Sequence, residues 1–356
     1  MGNLKPLEEG SIKRARPSQY LFRAAACHLR AYAQRTTPEA VAKQSFNDPV
    51  TGIILKAATA PATTVGSGWA DSLAALSIRD LVMEISSVSA AAALIQRGLQ
   101  LDFGHFASIR VPGRLVDAND AGSWVPEGTP ITVRAQRITA GPSLTPHKLV
   151  VLTSFTNEMA QQSNIEEISR ALLTESCALA LDTAVFSTSP AGNAPGGILY
   201  GVTPIGSTAG GGFNALTADI ANLMKSLVQN YAGRDPVLIM NPTQATSLRT
   251  MASPLFKIPI LESTVIAPGT VVLVEPSSFV SAFSPTPEFD VVDTPSIHFE
   301  DTAPQNITGG TPSPAVPVRS LFQVDSIGLR LKLRAAWGMR MPSTNPHVAY
   351  ITGTTW

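Results

Sequence analysis

Residues 165–186 constrain the fold of this 356-residue chain most, because they carry its clearest helical pattern. Ser163 precedes Glu166 by three residues, which is the spacing of an N-terminal capping box. Glu167 adds a second acid at the positive end of the helix dipole. The apolar residues that follow recur at helical spacing: Ile165, Ile168, Leu172, Leu179 and Phe186. The pattern predicts one long helix with an apolar stripe.

A second strong pattern, at residues 329–337, predicts a half-buried β-strand. Apolar residues alternate there with basic ones, so one face of the strand is apolar and the other basic. The basic positions are Arg330, Lys332 and Arg334. Two interpretations of this basic face stay open: a solvated strand surface, or a surface that faces DNA or a neighbouring subunit.

Shorter patterns predict further elements of both kinds. The predicted elements are strands at 105–111, 149–152, 237–240 and 271–274, a helix at 220–231, and a helix opened by Asn241 and Pro242. In contrast, the Pro-rich stretch from Leu273 to Pro317 is expected to be irregular. Helices and strands that are mixed along the chain predict an α+β fold.

The N-terminal 46 residues differ from the rest in charge. They carry eight basic and three acidic residues, a formal charge of 8 − 3 = +5, whereas the whole chain is neutral. Residues 18–34 are expected to form an amphipathic helix with Leu29 on its apolar face and Arg23 and Arg30 on another face. The segment is either an arm that binds subunits, scaffold or DNA, or a solvated tail.

Motifs for catalysis or metal binding are missing from the sequence. The two cysteines, Cys27 and Cys177, lack the spacing of a zinc site and are expected to be reduced thiols. The Gly-rich stretch at 206–212 lacks the pattern of a phosphate loop. We therefore expect no enzyme, no cofactor and no metal, and no apolar stretch is long enough for a membrane span. Charged residues make up only 15% of the chain, which suggests that copies bury surface against each other.

Several short segments are informative because of their order and spacing along the chain. The segments are Trp124-Val125-Pro126-Glu127-Gly128, residues 144–149 with Lys148, residues 154–158 before the long helix with Asp182 near its end, residues 237–242, and residues 321–330. Their order and spacing resemble the major capsid proteins of tailed phages, which have the Hong Kong 97-type (HK97-like) fold. The resemblance covers residues 60–356.

The resemblance implies six parts for this chain. The first three are a basic N-terminal segment at 1–58 that is arm-like or scaffold-like, an N-arm at 59–102 that leads into the peripheral domain, and an extended β-hairpin loop at 103–150. The last three are the peripheral domain with its long spine helix at 151–200, the axial domain at 201–310, and return strands of the peripheral domain at 311–356. Trp124, Glu127, Gly128 and Lys148 would then belong to the assembly loop. Glu166, Glu167 and Asp182 would belong to the spine helix.

The same resemblance implies a function. Pentamers and hexamers of such a protein form an icosahedral shell around double-stranded phage DNA, assembled in the bacterial cytoplasm and found in the virion. Partners would be other copies, DNA held by non-specific contact, a portal protein and, in some members, scaffold, protease or decoration proteins. Some members link their shells through Lys–Asn bonds made by a loop lysine. No lysine lies between Gly104 and His147 here, so we expect a shell without covalent cross-links.

Two alternatives remain at this stage. An encapsulin-like nanocompartment shares the fold but carries protein cargo, and the long basic N-terminal segment favours the phage capsid over it. A soluble hydrolase on a mixed α/β fold would instead be a stable, active monomer.

Overall fold

A computed structural model defines the protein at residues 17–46, 51, 55, 86, 88–104, 106–114, 124–130, 138–139, 141–161, 165–252, 256–284, 288–292, 296–298, 318–341 and 346–356. The segment before Pro17 and the expected arm at 59–85 lie outside these residues. So do Ser163 and the parts of the extended loop at 115–123 and 131–137.

The described helices follow the capping signals of the sequence closely. They are α1 (Pro17–Ala33), α2 (Pro38–Ser45), α3 (Ala90–Arg97), α4 (Asn157–Gln161), α5 (Ile165–Val185), α6 (Gly212–Gln229) and α7 (Pro242–Met251). Helix α7 begins as predicted, because the Asn241 side chain accepts a hydrogen bond from the backbone N–H of Thr243 and Pro242 follows it. Helix α3 was not expected, although Ser89 caps it through the N–H of Ala92.

Sixteen described strands complete the secondary structure. They are β1 (Leu99–Asp102), β2 (Ile109–Arg110), β3 (Gly113–Arg114), β4 (Ile138–Thr139), β5 (Ser143–Leu144), β6 (His147–Thr156), β7 (Ile205–Gly206), β8 (Val237–Met240), β9 (Ile260–Glu262), β10 (Val271–Val274), β11 (Phe279–Phe283), β12 (Glu288–Val292), β13 (Ser296–His298), β14 (Val318–Ser320), β15 (Ser326–Met339) and β16 (Val348–Thr352).

The first sheet is built around β15. Strand β6 pairs along one edge of β15, and β11 and β12 pair with its other edge, with β1 added parallel to β11. The apolar residues of β15 face inward, as their alternation predicts, and Leu329, Leu331 and Leu333 are buried. They pack into one core with residues of α1, α3 and α5, which cover the inner face of the sheet.

The second sheet has the strand order β7-β16-β10-β8-β9. Its strands β8 and β10 are buried along their whole length, which explains why both are continuous apolar runs. One side of this sheet shares the core of the first sheet, and the other side packs against α6 and α7. A long core therefore runs through both sheets.

Two predictions of secondary structure were wrong. The stretch from Leu273 to Pro317 was expected to be irregular, but it contains β11, β12 and β13. Of the strand expected at 105–111, only Ile109–Arg110 is extended in a ladder. Strands β11 and β12, from the segment expected to form the axial domain (201–310), join the first sheet. Strand β16, from the segment expected to return to the peripheral domain (311–356), joins the second sheet.

Candidate assembly surfaces

A two-stranded ribbon leaves the first sheet at β2–β5 and continues through β3–β4. Its base is tightly packed. A Cβ at Gly141 would lie 1.9 Å from the carbonyl oxygen of Val111, and one at Gly338 would lie 2.9 Å from the ring of Pro142. The base shares a small apolar cluster with Ala336 of β15, so it covers one end of the sheet. The close contacts at these glycines fix where the ribbon starts.

Residues 124–130, which lie between β3 and β4 along the chain, are exposed throughout. Trp124 is 101% exposed, and Val125 and Glu127 are exposed beside it. Gly128 has a φ of +80°, a conformation that favours glycine, in a turn where Thr129 donates to the carbonyl of Pro126. Trp124, Glu127 and Gly128, which the sequence predicted as loop residues, therefore lie together. Trp124 and Val125 thus form a small exposed apolar pair next to Glu127.

Lys148, the fourth predicted loop residue, lies elsewhere, at the start of β6. It belongs to the outward-facing side of the first sheet, here called the outer face. The outer face carries Lys148, Val150 and Leu152 of β6, Arg330, Lys332 and Arg334 of β15, and Asp290 and Val292 of β12, where Glu288 occupies the ladder position opposite Lys332. Its three apolar side chains are between 42% and 53% exposed. Basic, acidic and apolar residues are thus mixed on this surface.

The charges of the outer face are unevenly paired. Arg330 donates to Asp290 from Nε at 3.0 Å and from Nη2 at 2.6 Å. Both side chains are about half exposed, so the pair contributes at most about 1 kcal/mol. Lys148 lies directly opposite Arg334 in the ladder, which is an unfavourable arrangement of like charges. Lys148 makes no ion pair with another described residue, and its side chain is exposed.

The other predicted cations, Arg23 and Arg30, lie on helix α1. Their guanidinium groups stack over the ring of Phe46, at 5.1 and 6.0 Å from its centroid. Both side chains are half-buried. These arginines therefore pack α1 against the end of α2 and expose only part of their charge.

Asp182 occupies the last turn of α5 and is a buried carboxylate that three donors contact. It is 4% exposed and accepts hydrogen bonds from the Ser89 hydroxyl, the Ala91 N–H at 2.9 Å and the Ser263 hydroxyl. It thereby joins the long helix to the N-terminus of α3 and to the segment after β9. Glu166 and Glu167 lie in the first turn of the same helix, as predicted.

Two further buried groups hold loops of the second sheet. Glu275 accepts from the N–H of Gly233 at 2.9 Å. His347 donates from Nε2 to the carbonyl of Asn230 at 3.0 Å, so its Nδ1 accepts from the Ser278 hydroxyl. Burial lowers the pKa of His347, although the Asn230 carbonyl and Glu275 oppose this. The imidazole is neutral and engaged at both nitrogens, so it is not placed to act as a base.

The described residues were also compared with the requirements of a reactive thiol, a metal site and a membrane span. Burial raises the pKa of Cys177 to about 11, which keeps it a thiol, and both cysteines are buried and form no disulfide. Over the described ranges, no three His, Cys, Asp or Glu side chains cluster as metal ligands would. Helices in the same ranges are too short or too polar to cross a membrane.

Three comparisons relate the chain to known proteins. The sequence model of the phage capsid family matches residues 87–265, which is half of the chain. No curated protein matches. Among solved structures, the chain is similar to one from Mycobacterium phage Adephagia, with 13% identity and a TM-score of 0.52 over 73% of this chain and 89% of that chain. A structure from Microbacterium phage Oxtober96 gives 15% identity and a TM-score of 0.52 over 74% and 90%.

A third structure is titled "Satellite phage P4 procapsid including size determination (Sid) protein". It has 10% identity and a TM-score of 0.50, with 78% of this chain and all of that chain covered. At such identities the likeness of structures shows the fold, and the expected α+β fold of the Hong Kong 97 type is confirmed. Together with the match of the family model, this shows that the chain belongs to the phage capsid family and is a capsid shell protein.

Proposed function

We propose that this chain is a major capsid protein whose copies assemble, as pentamers and hexamers, into an icosahedral shell around double-stranded phage DNA. The observation that carries the proposal is the ribbon. Between its strands β3 and β4 the chain carries a wholly exposed Trp124, and only 15% of the chain is charged. A two-stranded ribbon has no core of its own and becomes stable when it lies on another molecule. Its natural position is therefore across a neighbouring subunit.

Closed symmetric assembly explains the exposed apolar groups. Each copy gives one ribbon and receives another, and a contact between different surfaces closes into a ring when the rotation permits it. The area that each subunit buries should exceed the roughly 1,600 Å² of an ordinary complex. In this assembly the first sheet with α5 would form the peripheral domain, and the second sheet with α6 and α7 the axial domain.

The shell is proposed to be free of covalent cross-links. No lysine lies between Gly104 and His147, and Lys148 projects from the sheet at the outer face. The ribbon therefore offers no amine for an isopeptide bond. Denaturing electrophoresis of purified particles should give a single band near the chain mass of 37.5 kDa, and a ladder that survives reductant would refute this part.

DNA inside the shell would be held by non-specific contact. The chain is neutral overall, so such contact must come from local patches such as the basic segment that includes Arg23 and Arg30. Expression of the chain with its phage partners, portal protein included, should give virion-like particles that contain nuclease-resistant DNA. Particles that instead hold a protein cargo would support the nanocompartment alternative. A stable monomer that never assembles would overturn the proposed function.

The proposed role is structural and needs no catalysis. The buried carboxylates Asp182 and Glu275 and the imidazole of His347 are engaged by donors or acceptors of the fold itself. Assembly in the bacterial cytoplasm and residence in the virion follow from the same role. Hydrolytic activity in a purified monomer would contradict it.

A further inference from the structure

We propose that helices α1 and α2 are a permanent layer of the subunit, which proteolysis spares and which stays in the mature shell. The sequence leaves open whether this basic segment is an arm, a solvated tail or a removable scaffold. The inference rests on the proposed function, because it concerns the fate of a shell subunit. It is argued from what the two helices bury.

Helix α1 lies between two apolar clusters. On one side, Ala26 and Leu29 are both 0% exposed and belong to the core that α5 and the first sheet share. The other side packs in a smaller cluster against α2 and the chain after it. The buried members of that cluster are Ala24, Cys27, Ala31, Val41, Ala42 and Leu55. Because α1 is buried on both sides, its removal would open the main core to water.

The contacts of α1 reach parts of the chain that come much later. The helix lies against α4, α5 and strand β12. At β12, His28 is close to Asp290: burial lowers the pKa of His28, and the nearby carboxylate opposes this shift. Helix α1 therefore contacts both the helices and the sheet of the peripheral part, as an integral element of a fold does.

Helix α2 is held to α1 at both of its ends. At the start of α2, the Thr37 hydroxyl accepts a hydrogen bond from the N–H of Ala40 and caps the helix directly after the turn. At its other end, the ring of Phe46 lies under the guanidinium groups of Arg23 and Arg30. The two helices therefore form one unit, and a unit that stays in the shell also keeps there the cations that the proposed contact with DNA requires.

The subunits of purified particles test the inference directly. Particles would be produced from the full-length chain together with its phage partners, any protease among them included. Their denatured subunits would be analysed by intact mass spectrometry and N-terminal sequencing. We expect every subunit to begin at or before Pro17, so that α1 and α2 are complete. Subunits that begin after Pro17 would overturn the inference.

Leu29→Ala supplies a second test, which begins with the unassembled chain. If Leu29 completes the main core, the cavity left by its truncation should lower the urea midpoint by about 1 M. Gln44→Ala is the matched control, because Gln44 is exposed on α2, and its midpoint should shift by less than about 0.2 M. An unchanged midpoint for Leu29→Ala would overturn the inference, since the subunit would then not depend on α1.

Mature particles of the same variant distinguish a retained layer from a scaffold that folds first and is lost later. Leu29→Ala should lower the melting temperature of mature particles relative to Gln44→Ala, whereas a segment lost on maturation would leave it unchanged. An unchanged melting temperature would therefore also contradict the inference.

The outcomes separate the inference from the proposed function. If closed particles form but their subunits lack α1 and α2, the proposed function stands and only the inference fails. If the unsubstituted chain forms no closed particles with its phage partners, the proposed function fails, and the inference about a mature shell fails with it.

Discussion

Asp182 offers the sharpest test of how α5 is held to α3 and to the segment after β9. Its carboxylate receives three hydrogen bonds from segments far apart in the chain, at Ser89, Ala91 and Ser263. The Ala91 N–H belongs to the first turn of α3, where the carboxylate also faces the positive end of the helix dipole. Replacing Asp182 with alanine removes the acceptor and leaves these donors buried.

The cost can be estimated from the bonds that are lost. A hydrogen bond to a charged group contributes about 1.5–3 kcal/mol, and contributions at one shared acceptor are not additive. Asp182→Ala should therefore lower the free energy of unfolding by about 4 kcal/mol, as expected when one partner of a buried charged network is removed. Asp182→Asn keeps an acceptor for the Ala91 N–H and should cost about half as much.

Urea unfolding of the unassembled chain, followed by tryptophan fluorescence, measures these values. With a slope of about 3 kcal/mol per M, the midpoint of Asp182→Ala should fall by about 1.3 M. Glu175→Ala is the matched control, because Glu175 is exposed on the same helix, and its effect should stay within about 0.5 kcal/mol. A loss below about 1 kcal/mol for Asp182→Ala would refute the idea that this carboxylate holds α5 to α3 and to the segment after β9.

Three further predictions concern pH, backbone packing and thiol chemistry. The pKa of His347 is lowered by burial, so the unfolded chain takes up a proton near pH 6.5 that the folded chain does not. Stability should be complete above that pH and fall by up to about 1.4 kcal/mol per pH unit below it, and His347→Gln should flatten this slope in melts from pH 7.5 to 5. Gly141→Ala should displace the ribbon base and expose the ribbon to protease, whereas Gly206→Ala, which has open space for a Cβ, should not; equal protection of both would contradict the close contact with Val111. Cys177 should react with a maleimide only after unfolding, since burial keeps it a thiol, and rapid labelling of the native chain would contradict its position in the core.

The parts of the fold that local sequence controls were predictable. Helix α5 was predicted from apolar residues at helical spacing, but Leu172 and Leu179 of the predicted stripe are exposed, and the buried face instead carries Leu173, Cys177, Ala178, Leu181 and Val185. Strand β15 follows from its alternation, and the Asn241 cap fixes where α7 begins. Helix α3 has an Ala-rich sequence without an apolar stripe, so only Ser89 as its cap could have indicated it.

Strands β11 and β12 escaped prediction for a different reason. They pair with β15 and, for β11, with β1 about 180 residues earlier, so their extended form depends on distant partners. The interpretation of that stretch as irregular came from its prolines, which lie between the strands.

The candidate surfaces were predictable only in part. The sequence placed Trp124, Glu127 and Gly128 in one loop and the basic residues on one face of a strand. It did not show that Lys148 joins that face, because this needs the register of β6 against β15. The role of Asp182 as a shared acceptor likewise depends on three segments that meet only in the folded chain.

The interleaving of the two sheets has a consequence for the timing of synthesis. Strand β15 is the centre of the first sheet, and β16 lies inside the second between β7 and β10. A ribosome that has made residues 1–325 has therefore produced neither sheet in complete form. Nascent chains on one polysome are close neighbours, and exposed sheet edges would invite premature association. Because both sheets wait for residues beyond 325, neither offers a complete surface until those residues have been made.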